Sequence, residues 1–114
     1  MKKDPSIYLG DIIESINRIG VYINGMNYEE FEENYAIQDA VLRRLQVLAE
    51  AAKRIDESVK SANPQIPWNK INGLRNAIIH DYDEIDMKAI WETVTIDLPK
   101  TKMDFIKLKK SLST

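Results

Sequence analysis

The side chains best suited to chemistry lie in one short stretch, Arg75-Asn76-Ala77-Ile78-Ile79-His80-Asp81-Tyr82. His80 is the only histidine in 114 residues. An imidazole gives and takes protons near neutral pH, and a guanidinium offers a planar fork of donors to a phosphate. On a helix, Asn72, Asn76 and His80 fall at i, i+4 and i+8 and point the same way, with Arg75 about 100° round the axis. Leu74 and Ile78 take the core-facing side, so this polar row faces outward or toward a partner subunit. Such a set could cleave RNA without a metal. The ribose 2′-hydroxyl attacks its own phosphate, histidine moves a proton, arginine stabilises the crowded oxyanion and asparagine orients either partner. Each residue also has a plainer reading. A histidine ending a helix caps the negative end of the dipole, an exposed arginine is solvated, and a tyrosine just past a helix packs its ring on the last turn. The residues alone define a candidate phosphate-handling site.

The elements that must position this row are helical. Glycine and proline number four each, and the valine-threonine-aromatic alternation of strands is nearly absent, which predicts an all-α chain. Asp4-Pro5 predicts a helix start, with Asp4 as cap and Pro5 in the first turn. Tyr8, Ile12, Ile16, Ile19 and Ile23 then draw one apolar stripe, ended by Asn24-Gly25. Asn27 caps an acidic segment, Tyr28 to Glu33. Ile37, Val41, Leu45, Leu48, Ala52, Ile55 and Val59 predict one uninterrupted helix from about Tyr35 to Lys60. Its alanines Ala49, Ala51 and Ala52 would let a neighbour approach closely. Pro64 and Pro67 forbid helix through the loop before Trp68. Trp68, Ile71, Leu74 and Ile78 make the next buried stripe, which the Arg75–Tyr82 stretch closes. After an acidic turn, Met87, Ile90, Trp91 and Val94 restart the period. Pro99 interrupts or kinks it, and Phe105, Leu108 and Leu112 carry it on. The expected architecture is a single domain over residues 1–114, an antiparallel four- to five-helix bundle. Ile13, Leu42 and Ile79 fall off the main stripes, and a symmetric homodimer would bury them.

Composition narrows the function. A chain of this length can bury roughly two thirds of its unfolded surface without staples. With no cysteine, disulfides, thiolate metal sites and cysteine nucleophiles are excluded, which suits the cytoplasm. Charged residues at Met1 to Asp4 and polar residues among the following apolar ones leave neither a signal-peptide core nor a membrane span. The net charge of −2, from 16 basic and 18 acidic residues, gives no general attraction to nucleic acid, so RNA would need a local patch. Asp81-x-Asp83 opens like a calcium loop, but Ile85 and Asp86 stand where an oxygen ligand and a glycine are required. No glycine-rich phosphate loop or Ser-His-Asp arrangement is present, and no cofactor is expected.

Arg75-Asn76-(three residues)-His80-Asp81-Tyr82 resembles the Arg-x4-His-x-Tyr motif of HEPN-domain toxins, in the HepT-like branch paired with minimal nucleotidyltransferase antitoxins. The resemblance extends through Asp11 to Ile19, Tyr28-x-x-Phe31, Ala36 to Arg43 with its Gln38-Asp39-Ala40-Val41, Pro67 to Asn76, and Trp91 followed by Leu98-Pro99. It implies an α-helical homodimer whose two motifs meet to form one composite, metal-independent ribonuclease site. Arg75 and His80 would be catalytic, Asn76 supporting, and Tyr82 the residue that a cognate nucleotidyltransferase antitoxin adenylylates to silence the toxin. The acidic Asp81, Asp83, Glu84 and Asp86 depart from the small residue that often follows the histidine. Arg43, Arg44, Lys53, Arg54 or the C-terminal lysines would then guide RNA. The alternative is a non-catalytic HEPN module that binds a nucleotide or a partner protein.

Overall fold

Several helices of the computed structural model, which describes residues 4–112, start where a side chain takes up a free backbone amide. The Asp4 carboxylate accepts the Ser6 amide at 2.9 Å, and helix α1, Pro5–Tyr22, follows with Pro5 in its first turn. Its apolar stripe buries Tyr8, Leu9, Ile12, Ile16 and Ile19. Gly25 turns the chain with φ of 77°, a left-handed conformation that glycine adopts without strain. A reciprocal capping box between Asn27 and Glu30, at 2.8 and 3.0 Å, opens α2, Tyr28–Glu33. Asn34 accepts the Ile37 amide and starts α3, Tyr35–Lys53. The charged stretch Met1–Lys3 lies outside the described residues.

The single helix expected from Tyr35 to Lys60 is two helices. α3 stops at Lys53, and α4 spans Glu57–Ser61. Asp56 between them is extended, with ψ of 142°, and its carbonyl takes the amides of Val59 and Lys60 to begin a new helix. The apolar period runs across the break because Ile55 is buried and Val59 packs against the core on either side of Asp56. Burial spacing alone therefore carries no record of the interruption.

α5 spans Trp68–His80 and is followed by a single 3-10 turn, Tyr82–Glu84. α6 spans Met87–Glu92, capped by Asp86, and runs through a π turn, Thr93–Asp97, into α7, Leu98–Leu112. Pro99 thus ends nothing. The wider π turn just before it relaxes the backbone where proline lacks an N–H and crowds the preceding carbonyl. It also suits the four-residue spacing of Ile90, Val94 and Leu98, all buried, which would drift round an ideal α-helix.

α3 packs on both α1 and α5, α1 packs on α7, and α2 bridges α3 and α6. Neighbours run antiparallel. Gly10 near the start of α1 lies beside Lys109 near the end of α7, and Asp39 near the start of α3 meets Tyr82 just past the end of α5. Trp68 closes α5 onto α7 by an edge contact with Phe105, ring centres 5.9 Å apart. Phe31 is buried against Trp91 of α6 at 5.1 Å. The result is an all-α antiparallel bundle of four long rods, α1, α3, α5 and α6–α7, with α2 and α4 as short inserts. Among the described residues no helix is long and apolar enough to cross a membrane.

One argument for a dimer changes. Leu42 is only 2 % exposed within this chain and Ile13 is half-buried against the core, so neither asks for a partner. Ile79, at 39 %, and Tyr35, at 75 %, do remain open.

Phe105 is fully enclosed, so Phe105→Ala should cost about 3–5 kcal/mol through the cavity it leaves. Urea unfolding followed by circular dichroism measures this. A loss below about 1 kcal/mol would contradict the packing described.

Candidate active site

Ile71 and Ile78 lock α5 onto the core, and the rest of the helix follows from that rotation. Asn72, Asn76 and His80 come out exposed along its free side, while Arg75 is partly covered. Arg75 and Asn76 are in contact. Arg75 Nη1 donates to Asn76 Oδ1 at 3.3 Å, a long bond that leaves most of the guanidinium fork uncommitted. Arg75 Nε is enclosed by protein yet has no acceptor, and Arg75 makes no ion pair among the described residues. An enclosed donor without a partner costs free energy that a phosphate or a second chain could recover by reorganising the side chain. His80 is the last residue of α5, about 7.5 Å along the axis from Arg75 at 1.5 Å per residue. Its ring makes no hydrogen bond among the described residues.

Tyr82 does not join this row. Its hydroxyl donates to Asp39 Oδ1 on α3 at 2.9 Å. That bond to a carboxylate, followed by partial burial and the negative charges of Asp39 and Asp83, holds the phenol above its ordinary pKa. Asp39 escaped the sequence reading as a site residue. It is an exposed acid 43 positions away from Tyr82, and neither composition nor helical period marks such a pair. Tyr28 makes a similar bond to Glu32 at 3.1 Å, but within a single helix, with its ring beside Trp91 and beneath Lys88.

Charge is divided along α5. Asp81, Asp83, Glu84 and Asp86 crowd its His80 end and are exposed. At the other end, Lys53, Lys60 and Lys70 wall a half-open cavity of about 620 Å³ together with Trp68, Asn69, Asn72 and Glu57. Lys53, one of the basic residues expected to guide RNA, is thus placed in a cavity that touches the polar row, at Asn72. Among the described residues no group of three or more histidine, cysteine or carboxylate side chains is arranged to hold a metal ion.

The chain is an all-helical domain with an asparagine and a histidine exposed on the outer side of one helix and a partly covered arginine beside them. The family model described as "Ribonuclease HepT-like" matches residues 12–107, and the chain belongs to that family. A Methanocaldococcus jannaschii protein provisionally named as an RNase, MJ1216, is 37 % identical over 111 residues, covering 97 % of this chain and 92 % of that protein. The Thermococcus cleftensis protein named "Probable ribonuclease HepT" is 36 % identical over 110 residues, covering 96 % and 100 %. No solved structure matches the chain.

The Tyr82–Asp39 bond has a pH signature. The neutral phenol donates it, so its contribution is present below the ordinary phenol range and is lost as pH rises through the raised value. In a titration followed by the ¹³Cζ resonances of labelled tyrosine, with Tyr82 assigned by Tyr82→Phe, the Tyr82 midpoint should lie above that of a free phenol. A midpoint at or below it rules the bond out.

Proposed function

We propose that the chain is a metal-independent endoribonuclease that acts as a homodimer in the cytoplasm, and that it is the toxin of a toxin–antitoxin pair. The observation that carries this reading is the exposure of Asn76 and His80 on the open side of α5 in a chain of the HepT-like ribonuclease family, with the partly covered Arg75 beside Asn76 and in no ion pair among the described residues. Cleavage by internal attack needs one group to take the proton of the 2′-hydroxyl and another to protonate the departing 5′-oxygen. One chain has one histidine. A second copy placed across a two-fold axis supplies the other, and the exposed Ile79, next to His80, supports a contact there. The 2′-oxygen bonds to phosphorus, the bond to the 5′-oxygen breaks, and a 2′,3′-cyclic phosphate and a 5′-hydroxyl result. Arg75 neutralises charge on the phosphoryl oxygens, and Asn76 orients the guanidinium it already touches.

Tyr82 is the regulatory residue in this reading. A cognate nucleotidyltransferase joins the phenolic oxygen to the α-phosphorus of ATP, pyrophosphate departs, and the phenolic proton passes to solvent. The resulting diester sets a negative charge two residues from His80, where RNA phosphate must approach.

Purified protein should cleave single-stranded RNA in excess EDTA, and His80→Ala or Arg75→Ala should each lower kcat by about 10²–10⁴-fold with the circular dichroism spectrum unchanged. Equal turnover by wild type and His80→Ala sinks the reading. Nucleotide binding without any turnover would favour the non-catalytic module instead. Incubation with the cognate nucleotidyltransferase and ATP should add AMP to the tryptic peptide Asn76–Lys88, whose only tyrosine is Tyr82. Mass spectrometry that finds the adduct on another peptide refutes the assignment.

A further inference from the structure

The hydrogen bond between Tyr82 and Asp39 reaches farther along the chain than the other side-chain bonds between described residues. It joins residues 43 apart, whereas the bonds made by Arg18, Tyr28, Gln38 and Trp68 stay within seven residues. It also falls where little else holds the chain. The turn Tyr82–Glu84 buries none of its side chains, and beyond it the half-buried Ile85 and Met87 rest on the core. Between His80 and Tyr82 there is a single residue, Asp81, whose amide is spent on the Ala77 carbonyl at 2.8 Å and whose carbonyl takes the Glu84 amide at 2.9 Å. That link is short and internally bonded, so the position of Tyr82 constrains the end of α5 and the imidazole on it.

We propose that Asp39 is a positioning residue for the site: by holding the Tyr82 hydroxyl it clasps the end of α5 to α3 and fixes His80 for proton transfer. The catalytic half of this inference rests on the ribonuclease reading above; the structural half does not. The clasp also gives modification of Tyr82 a second consequence beyond repelling substrate. Once the phenolic oxygen is esterified it has no proton to donate, and the added phosphodiester faces the Asp39 carboxylate as a like charge. Capping the hydroxyl therefore opens the clasp.

The test compares Asp39→Ala, Tyr82→Phe, the double variant and Asp39→Asn in the full chain by two readouts. The first is amide hydrogen exchange at Asp81, Glu84 and Ile85. It should accelerate by about tenfold in either single variant and no further in the double, with α1 and α7 unchanged. The second is RNA turnover. Each single variant should lose about tenfold in kcat with KM held, and the double variant should lose no more than either one, because both remove the same bond. Asp39→Asn should recover much of both readouts, since its amide oxygen still accepts from the phenol. Wild-type exchange rates in Asp39→Ala, or losses in kcat that multiply in the double variant, overturn the proposal. If wild type itself turns over no RNA, the ribonuclease reading falls and takes the catalytic half with it, while exchange still decides whether the clasp holds the turn.

Discussion

The way α5 lies on α3 governs everything at the candidate site. Ile71 and Ile78 stand seven residues apart, two turns of helix, and both are buried. Ala49 and Ala52 of α3 line one cavity with Ile71 and are themselves buried, and side chains this small let two backbones come close. Burying each isoleucine contributes about 1.5–3 kcal/mol, whereas a net hydrogen bond of the kind Arg75 makes to Asn76 contributes about 0.5–1.5 kcal/mol. The apolar stripe therefore sets the rotation of α5, and the polar row has to accept the direction it is given. A slip of one residue would turn the helix by about 100° and carry Asn72, Asn76 and His80 off the open face together.

This dependence explains which features can be recognised without coordinates. Caps such as Asp4 and Asn27 are local, since the side chain and the amide it serves are two or three residues apart. Buried stripes are periodic, and they separate the covered side of α5 from its open side. The break at Asp56 is neither: Ile55 and Val59 stay on the core side whether or not the helix stops between them. The π turn before Pro99 is hidden for a related reason, because proline announces a disturbance without saying how the backbone will absorb it. Leu42 seemed surplus on a one-stripe picture of α3, yet that helix is gripped from two sides, by α1 and by α5, and needs a broader apolar surface.

Asp39 belongs to a third category, exposed polar residues joined over a long separation. Nothing in the residues around it distinguishes it from other acids on α3 or α2, and its significance appears only when α5 is laid beside α3 in the opposite direction. The family match spans residues 12–107 but carries no record of this contact, which ties the residue just past α5 to the early turns of α3.

The separation of 43 residues has a kinetic consequence. Bringing two points that far apart along a flexible chain into contact costs roughly 3 kcal/mol in loop-closure entropy, as much as the strongest hydrogen bonds to a charged group return. The Tyr82–Asp39 bond cannot nucleate the hairpin of α3, α4 and α5; it can only close after apolar packing has already brought the ends together. The end of α5 is accordingly among the last parts of the chain to reach its final geometry during folding and among the first to lose it on partial unfolding. A half-folded chain would have most of its helices and none of the arrangement around His80.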